Sequence, residues 1–110
     1  MNKRKPISVR IEGNDKYQRI LGGAPATCGM RSGHVVLKPG ESVGEHNTDE
    51  REEAIIILRG HGQLFCEGSE AIDIEKDMVL YVPPLTKHDV KNSGVVDLEY
   101  VYVVVPIAVK

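Results

Sequence analysis

The 110-residue chain has no tryptophan, one phenylalanine and four tyrosines, so aromatic residues make up only 5% of it. A carbohydrate or nucleobase site built from stacking platforms is therefore not expected. Cysteine is scarce too. Cys28 and Cys66 are too few for a disulfide framework, and with no secretory context both are expected to be reduced thiols in the cytoplasm. Charge of one sign is missing as well: Lys+Arg 14 against Asp+Glu 16 gives a net charge of -2. That lacks the cationic surplus of a domain that neutralises many phosphates, which argues against nucleic acid as a partner. No apolar run approaches the roughly 20 residues a membrane helix needs. The basic start Met1-Asn2-Lys3-Arg4-Lys5 meets Pro6 with no apolar stretch behind it, so neither a signal peptide nor a membrane anchor is expected. Internal repeats, low-complexity segments and linkers are also missing. The length suits one domain over residues 1–110, with residues 1–6 a mobile tail. Folding at this size buries roughly 65% of the unfolded chain's surface, so a metal, if present, need not be structural.

What the chain has in quantity is β-branched side chain. The 14 Val and 9 Ile are stiff at Cβ and suit a pleated surface better than a helix. Turn formers punctuate them: Pro39-Gly40, Gly60-His61-Gly62, Glu67-Gly68-Ser69, Pro83-Pro84 and Asn92-Ser93-Gly94. Between the turns the period is often two. Ile7, Val9 and Ile11 alternate with Ser8 and Arg10, and Val101, Val103 and Val105 oppose Tyr100, Tyr102 and Val104. The last segment is apolar on both faces and belongs at the centre of a sheet. Acids after a possible cap at 47–49 and Gly60 at the far end would suit a helix over 49–58, but Ile55-Ile56-Ile57 favours a strand. Many short strands at roughly 8 to 12 residue spacing predict an all-β sandwich or barrel.

Two of the four histidines stand apart. His46 lies in Gly44-Glu45-His46-Asn47-Thr48-Asp49-Glu50-Arg51-Glu52-Glu53, a dense polar stretch leading straight into the apolar run Ala54 to Leu58. If it is extended, His46 and Thr48 share a face, and Glu53 competes with Glu52 for the interior, since one slip of strand parity exchanges them. His88 follows the rigid turn Pro83-Pro84-Leu85-Thr86-Lys87. Two imidazoles and a carboxylate suit a divalent transition metal such as iron, manganese, zinc or nickel. His61 sits between glycines in an expected exposed turn, and His34 opens a strand, exposed or at a barrel mouth. Met30, Gln63, Tyr81, Tyr100 and Tyr102 are either pocket lining or core.

These residues resemble the cupin family, whose first motif reads G-x5-H-x-H-x3,4-E-x6-G and whose second reads G-x5-P-x-G-x2-H-x3-N. Gly40, His46, Glu53 and Gly60 fit the first motif at every spacing, with Thr48 in the place of its second His. Pro83, His88 and Asn92 fit the second, with Asp77 and Leu85 in its two Gly places. Asp tolerates a left-handed turn, whereas Leu85 implies a different backbone at that loop. The resemblance covers residues 40 to 92 and implies a double-stranded β-helix, or jelly-roll barrel, with a metal held inside by His46, Glu53 and His88. Thr48 stands where the family's fourth protein ligand would be. Either the ion keeps two His and one carboxylate with extra waters, or the site has lost its metal.

Two functional classes follow. One is a metal-dependent enzyme acting on a small oxygen-bearing molecule in a dioxygenase-, isomerase- or decarboxylase-like reaction, with Glu52 or Asp49 as possible but unassigned bases. The other is a non-catalytic barrel that binds a small ligand or metal for sensing or storage. A homodimer is expected, because the two-sided apolar run Val101 to Val105 and the extended N-terminal segment offer surfaces to share.

Overall fold

A computed structural model describes residues 3–13 and 15–108, and among these it contains nine strands and no helix. The strands are β1 (Tyr17–Gly22), β2 (Arg31–Leu37), β3 (His46–Asn47), β4 (Arg51–Arg59), β5 (His61–Cys66), β6 (Ile72–Glu75), β7 (Val79–Val82), β8 (Lys87–Lys91) and β9 (Leu98–Pro106). They form two antiparallel sheets, in the orders β1-β2-β9-β4-β7 and β3-β8-β5-β6. This is the expected all-β jelly-roll architecture, and the segment 49–58 is a strand as Ile55-Ile56-Ile57 favours. The apolar strand β9 sits between β2 and β4, at the centre of its sheet. Val35, Leu37, Ile55, Ile57, Leu98 and Tyr100 of the larger sheet pack with Leu64, Ile74 and Val90 of the smaller one to form the core.

The glycine after β4 is needed twice over. Gly60 has φ 81, and a Cβ there would collide with the carbonyl oxygen of Asp97. Asn92 is fully buried and acts as a clasp. Its Nδ2 donates to the carbonyls of Leu37 and Val96, each at 2.8 Å, and its Oδ1 accepts from the amide of Gly94 at 2.8 Å. The last residue of the second motif is thus a support for the barrel wall.

Three expectations are corrected. The alternating segment Ile7-Val9-Ile11 joins no sheet, and these side chains remain exposed. Gln18 of β1 satisfies that backbone instead, donating Nε2 to the carbonyl of Arg10 at 2.9 Å while its Oε1 accepts from the amide of Glu12 at 2.8 Å. The tail over residues 1–6 stays an expectation: Met1 and Asn2 lie outside the described residues, and Arg4 donates Nε to the carbonyl of Pro25 at 2.9 Å. His34 is fully buried, because β2 lies between β1 and β9 and is covered on both faces. Its Nε2 lies 2.6 Å from Glu99 Oε2. Leu85, finally, does not change the backbone: it adopts φ 55, the left-handed conformation glycine would supply, as does Asp77 at φ 74. The turn is held in that shape from outside, by the bond from the Leu85 amide to the carbonyl of Asp49 at 2.8 Å.

Candidate metal centre and its cavity

Strand parity assigns the carboxylates. Along β4, buried Glu53, Ile55 and Ile57 face the interior and Glu52 faces out, where it accepts a hydrogen bond from the Tyr81 hydroxyl at 2.8 Å. Glu52 therefore does not line the cavity around His46. The two histidines are register partners, His46 on β3 and His88 on β8. Their ring centroids lie 4.0 Å apart with the planes inclined at 56°. One ligand atom from each of His46, Glu53 and His88 falls within 4.8 Å of the other two.

Both rings are oriented by backbone carbonyls. His46 Nδ1 lies 2.8 Å from the carbonyl of Gly44, and His88 Nδ1 lies 3.1 Å from that of Thr86. A carbonyl only accepts, so each Nδ1 carries a proton and each Nε2 is the nitrogen available to an ion. Gly44 is itself fixed by its amide donating to Asp89 Oδ1 at 2.9 Å, so the loop that aims His46 is anchored to β8. His88 Nε2 lies 2.9 Å from Glu53 Oε1, and both residues are buried. Burial pulls the pKa of His88 down, but the bond to Glu53, the bond to Thr86 and the charges of Glu53 and Asp89 together outweigh it and raise it. A proton shared between His88 Nε2 and Glu53 Oε1 occupies the place where an ion held by both would stand.

Thr48 is buried, and its hydroxyl is fully engaged: it donates to the carbonyl of Pro83 at 2.7 Å and accepts from the amide of Thr86 at 3.1 Å. It ties the end of β3 to the turn that delivers His88. Asp49 lies at the surface with φ 55, its amide bonded to Asn47 Oδ1 at 2.7 Å. It does not line the cavity.

The cavity above the three residues has a volume of about 250 Å³. Of the residues considered as pocket lining, Tyr100 and Tyr102 line it; Tyr81 lies on the outer face, Met30 is exposed and Gln63 bonds Asp73 at 3.2 Å. Three further residues were not singled out by the sequence. Arg51 lines the cavity, and the available signal was its place two residues before Glu53 on an extended chain. Tyr17 reaches the cavity from β1, and Tyr102 donates its hydroxyl to that of Tyr17 at 3.1 Å. Nothing local in the sequence couples those two. Cys66 is the register partner of His88. Burial, and then the charge of Glu53, raise its pKa, which keeps the thiol protonated.

A family model described as a cupin domain matches residues 33–105. The tetracenomycin polyketide synthase protein TcmJ of Streptomyces glaucescens is 31% identical over 87 residues, covering 76% of this chain and 58% of that protein. An oxalate-binding protein of Thermotoga maritima is 32% identical over 69 residues, covering 63% of this chain and 56% of that one. The chain thus spans less than two thirds of the length of either relative. Among solved structures, a Bacillus halodurans protein superposes with a TM-score of 0.80 at 16% identity, over 96% of this chain and 85% of that chain. That likeness is one of fold.

Proposed function

The chain belongs to the cupin domain family, and from that premise we propose that it holds one divalent transition metal (iron, manganese, zinc or nickel) through His46, Glu53 and His88. There it acts on a small oxygen-bearing molecule in a dioxygenase-, isomerase- or decarboxylase-like reaction. The observation that carries this reading is the convergence of two imidazole nitrogens and one carboxylate oxygen within 4.8 Å, on three different strands, beneath a cavity. The donor set fits such an ion: each Nδ1–H is held by a carbonyl, which leaves the other nitrogen of both rings for coordination. A divalent ion with three protein ligands would supply Lewis acidity toward an oxygen of a bound molecule. Glu53 and His88 would give up their shared proton on loading, while Asp89 and Thr48 keep the loops that aim the two histidines in place. The Thermotoga maritima relative is named for binding oxalate, a small oxygen-rich molecule, which is in keeping with a ligand of that size class.

A homodimer is part of the same proposal. Val101, Val103 and Val105 lie half-buried on the outer face of β9, and Val79 (70% exposed) and Tyr81 (59% exposed) lie on that of β7, with Ala54 of β4 between them, which gives an apolar sheet face for a second copy. The cytoplasm is the proposed location, since both Cys28 and Cys66 are free thiols.

The test is elemental analysis of protein purified without added metal. About one divalent ion per chain is expected, with His46→Ala and His88→Ala each lowering the content sharply while the β-rich circular dichroism is kept. Equal metal content in wild type and both variants would contradict the assignment.

A further inference from the structure

The cavity joins two chemically different parts. At one side stands Arg51, which projects from β4 on the same face as Glu53, two residues away and therefore about 7 Å along the strand. Among the described residues its guanidinium has no salt-bridge partner and makes no hydrogen bond to a side chain or carbonyl. A forked cation beside a cavity, without a carboxylate of its own, is matched by a planar anion that accepts two parallel N–H bonds.

The neighbouring strands of the same sheet, β9, β2 and β1, continue this wall as an apolar surface. The rings of Tyr17 and Tyr102 lie 6.5 Å apart and within 16° of parallel. Gly33 makes room for this: a Cβ on it would lie 2.7 Å from the Tyr102 ring. Val35, Ile55 and Val104 extend the same surface. Burial, and then the bond to Tyr17, push the Tyr102 phenol well above its usual range, so this wall carries no charge. Because Tyr102 donates to Tyr17, the Tyr17 proton is left to point at a ligand or solvent. The volume, about 250 Å³, exceeds the ~150 Å³ that holds a benzene ring. There is room for one ring and a small polar head.

We infer that the ligand is a monocarboxylic acid with an apolar body, whose carboxylate is gripped by Arg51 and whose body lies against Tyr17, Tyr102 and Val104. The inference rests on the proposed metal site only for the third anchor, an oxygen next to the carboxylate that would reach the ion at His46, Glu53 and His88. Arg51 selects for charge and the tyrosine wall selects for bulk.

Mandelate, mandelamide and glycolate separate these parts. Mandelate has the acid, the adjacent hydroxyl and a phenyl ring; mandelamide lacks the charge; glycolate lacks the ring. Binding is measured by calorimetry on metal-free protein and on protein loaded with Mn2+, with metal content determined on the same samples. Mandelate is expected to bind at least tenfold more tightly than either analogue. Arg51→Met should lower mandelate affinity at least tenfold, leave mandelamide within twofold, and leave metal content and melting temperature unchanged. Arg51→Lys should restore only part of the loss, because an ammonium cannot form the fork. Tyr17→Ala should weaken mandelate while leaving glycolate unchanged. The inference is overturned if mandelamide equals mandelate, if glycolate equals mandelate, if Arg51→Met binds mandelate like wild type, or if mandelate binds neither form. Because the acid–amide comparison uses wild-type protein, it decides even if a variant misfolds. Failure of the metal site shows separately, as absence of Mn2+ from the loaded sample while metal-free protein still discriminates acid from amide.

Discussion

Leu85 holds φ 55 with its side chain 72% exposed, so it bears the steric cost of a left-handed Cβ, roughly 1–2 kcal/mol, with little burial in return. Leu85→Gly is expected to raise stability by roughly 1 kcal/mol, since the extra freedom of glycine in the unfolded chain offsets part of the relief. Urea unfolding measures it, and a less stable variant would mean that Leu85 packs against something the strain argument ignores. Thr48 is the opposite case: a buried hydroxyl with both a donor and an acceptor partner. Thr48→Val keeps the shape but leaves the Pro83 carbonyl and the Thr86 amide without a partner, and is expected to cost roughly 1–3 kcal/mol in the same assay. A loss below the error of that measurement would show that water replaces the hydroxyl without cost.

For the elements, the decisive feature is the parity of β4. Glu53 faces His88 and Glu52 faces Tyr81, on opposite sides of one strand. Glu53→Gln is therefore expected to reduce metal content sharply, whereas Glu52→Gln leaves it at the wild-type level; elemental analysis of both variants checks the pair, and equal losses would overturn the parity argument. The motif spacing in the sequence already put Glu53 ahead of Glu52, but only a fixed register excludes a slip of one residue, and that register comes from pairing with β7 and β9 far along the chain. The same dependence on distant partners explains what local pattern misread. Ile7, Val9 and Ile11 alternate like a strand, yet an alternating segment is a strand only if a sheet edge takes its backbone groups, and here the Gln18 side chain takes some of them. His34 looked like a strand end because its burial depends on β1 and β9, which close over β2 from both flanks. The Leu85 loop looked altered because the bonds that force its shape come from Thr48 and Asp49, residues some 36 positions earlier in the sequence.

At the scale of the molecule, the architecture was legible because the features that encode it are local and repeated: β-branched runs, turn residues between them, and the spaced pattern from Gly40 to Asn92. His46, Glu53 and His88 were legible as a set for the same reason. Arg51 and Tyr17 were not, since a lone Arg in a polar stretch and a Tyr on a distant strand acquire meaning only once the sheet brings them to one cavity. The apolar outer face of β9, β4 and β7 carries a prediction of its own. Light scattering at micromolar concentration should give twice the chain mass of 12.1 kDa. Tyr81→Lys, which places a charge on that face, should shift the protein toward 12.1 kDa; a wild-type mass of one chain would remove the dimer.

Anomalous scattering locates the metal centre itself, on crystals of the metal-loaded protein measured on both sides of the absorption edge of the ion. One peak per chain is expected, about 2.0–2.2 Å from Nε2 of His46, Nε2 of His88 and a carboxylate oxygen of Glu53. No peak at that position, with His88 Nε2 still hydrogen-bonded to Glu53, would contradict it.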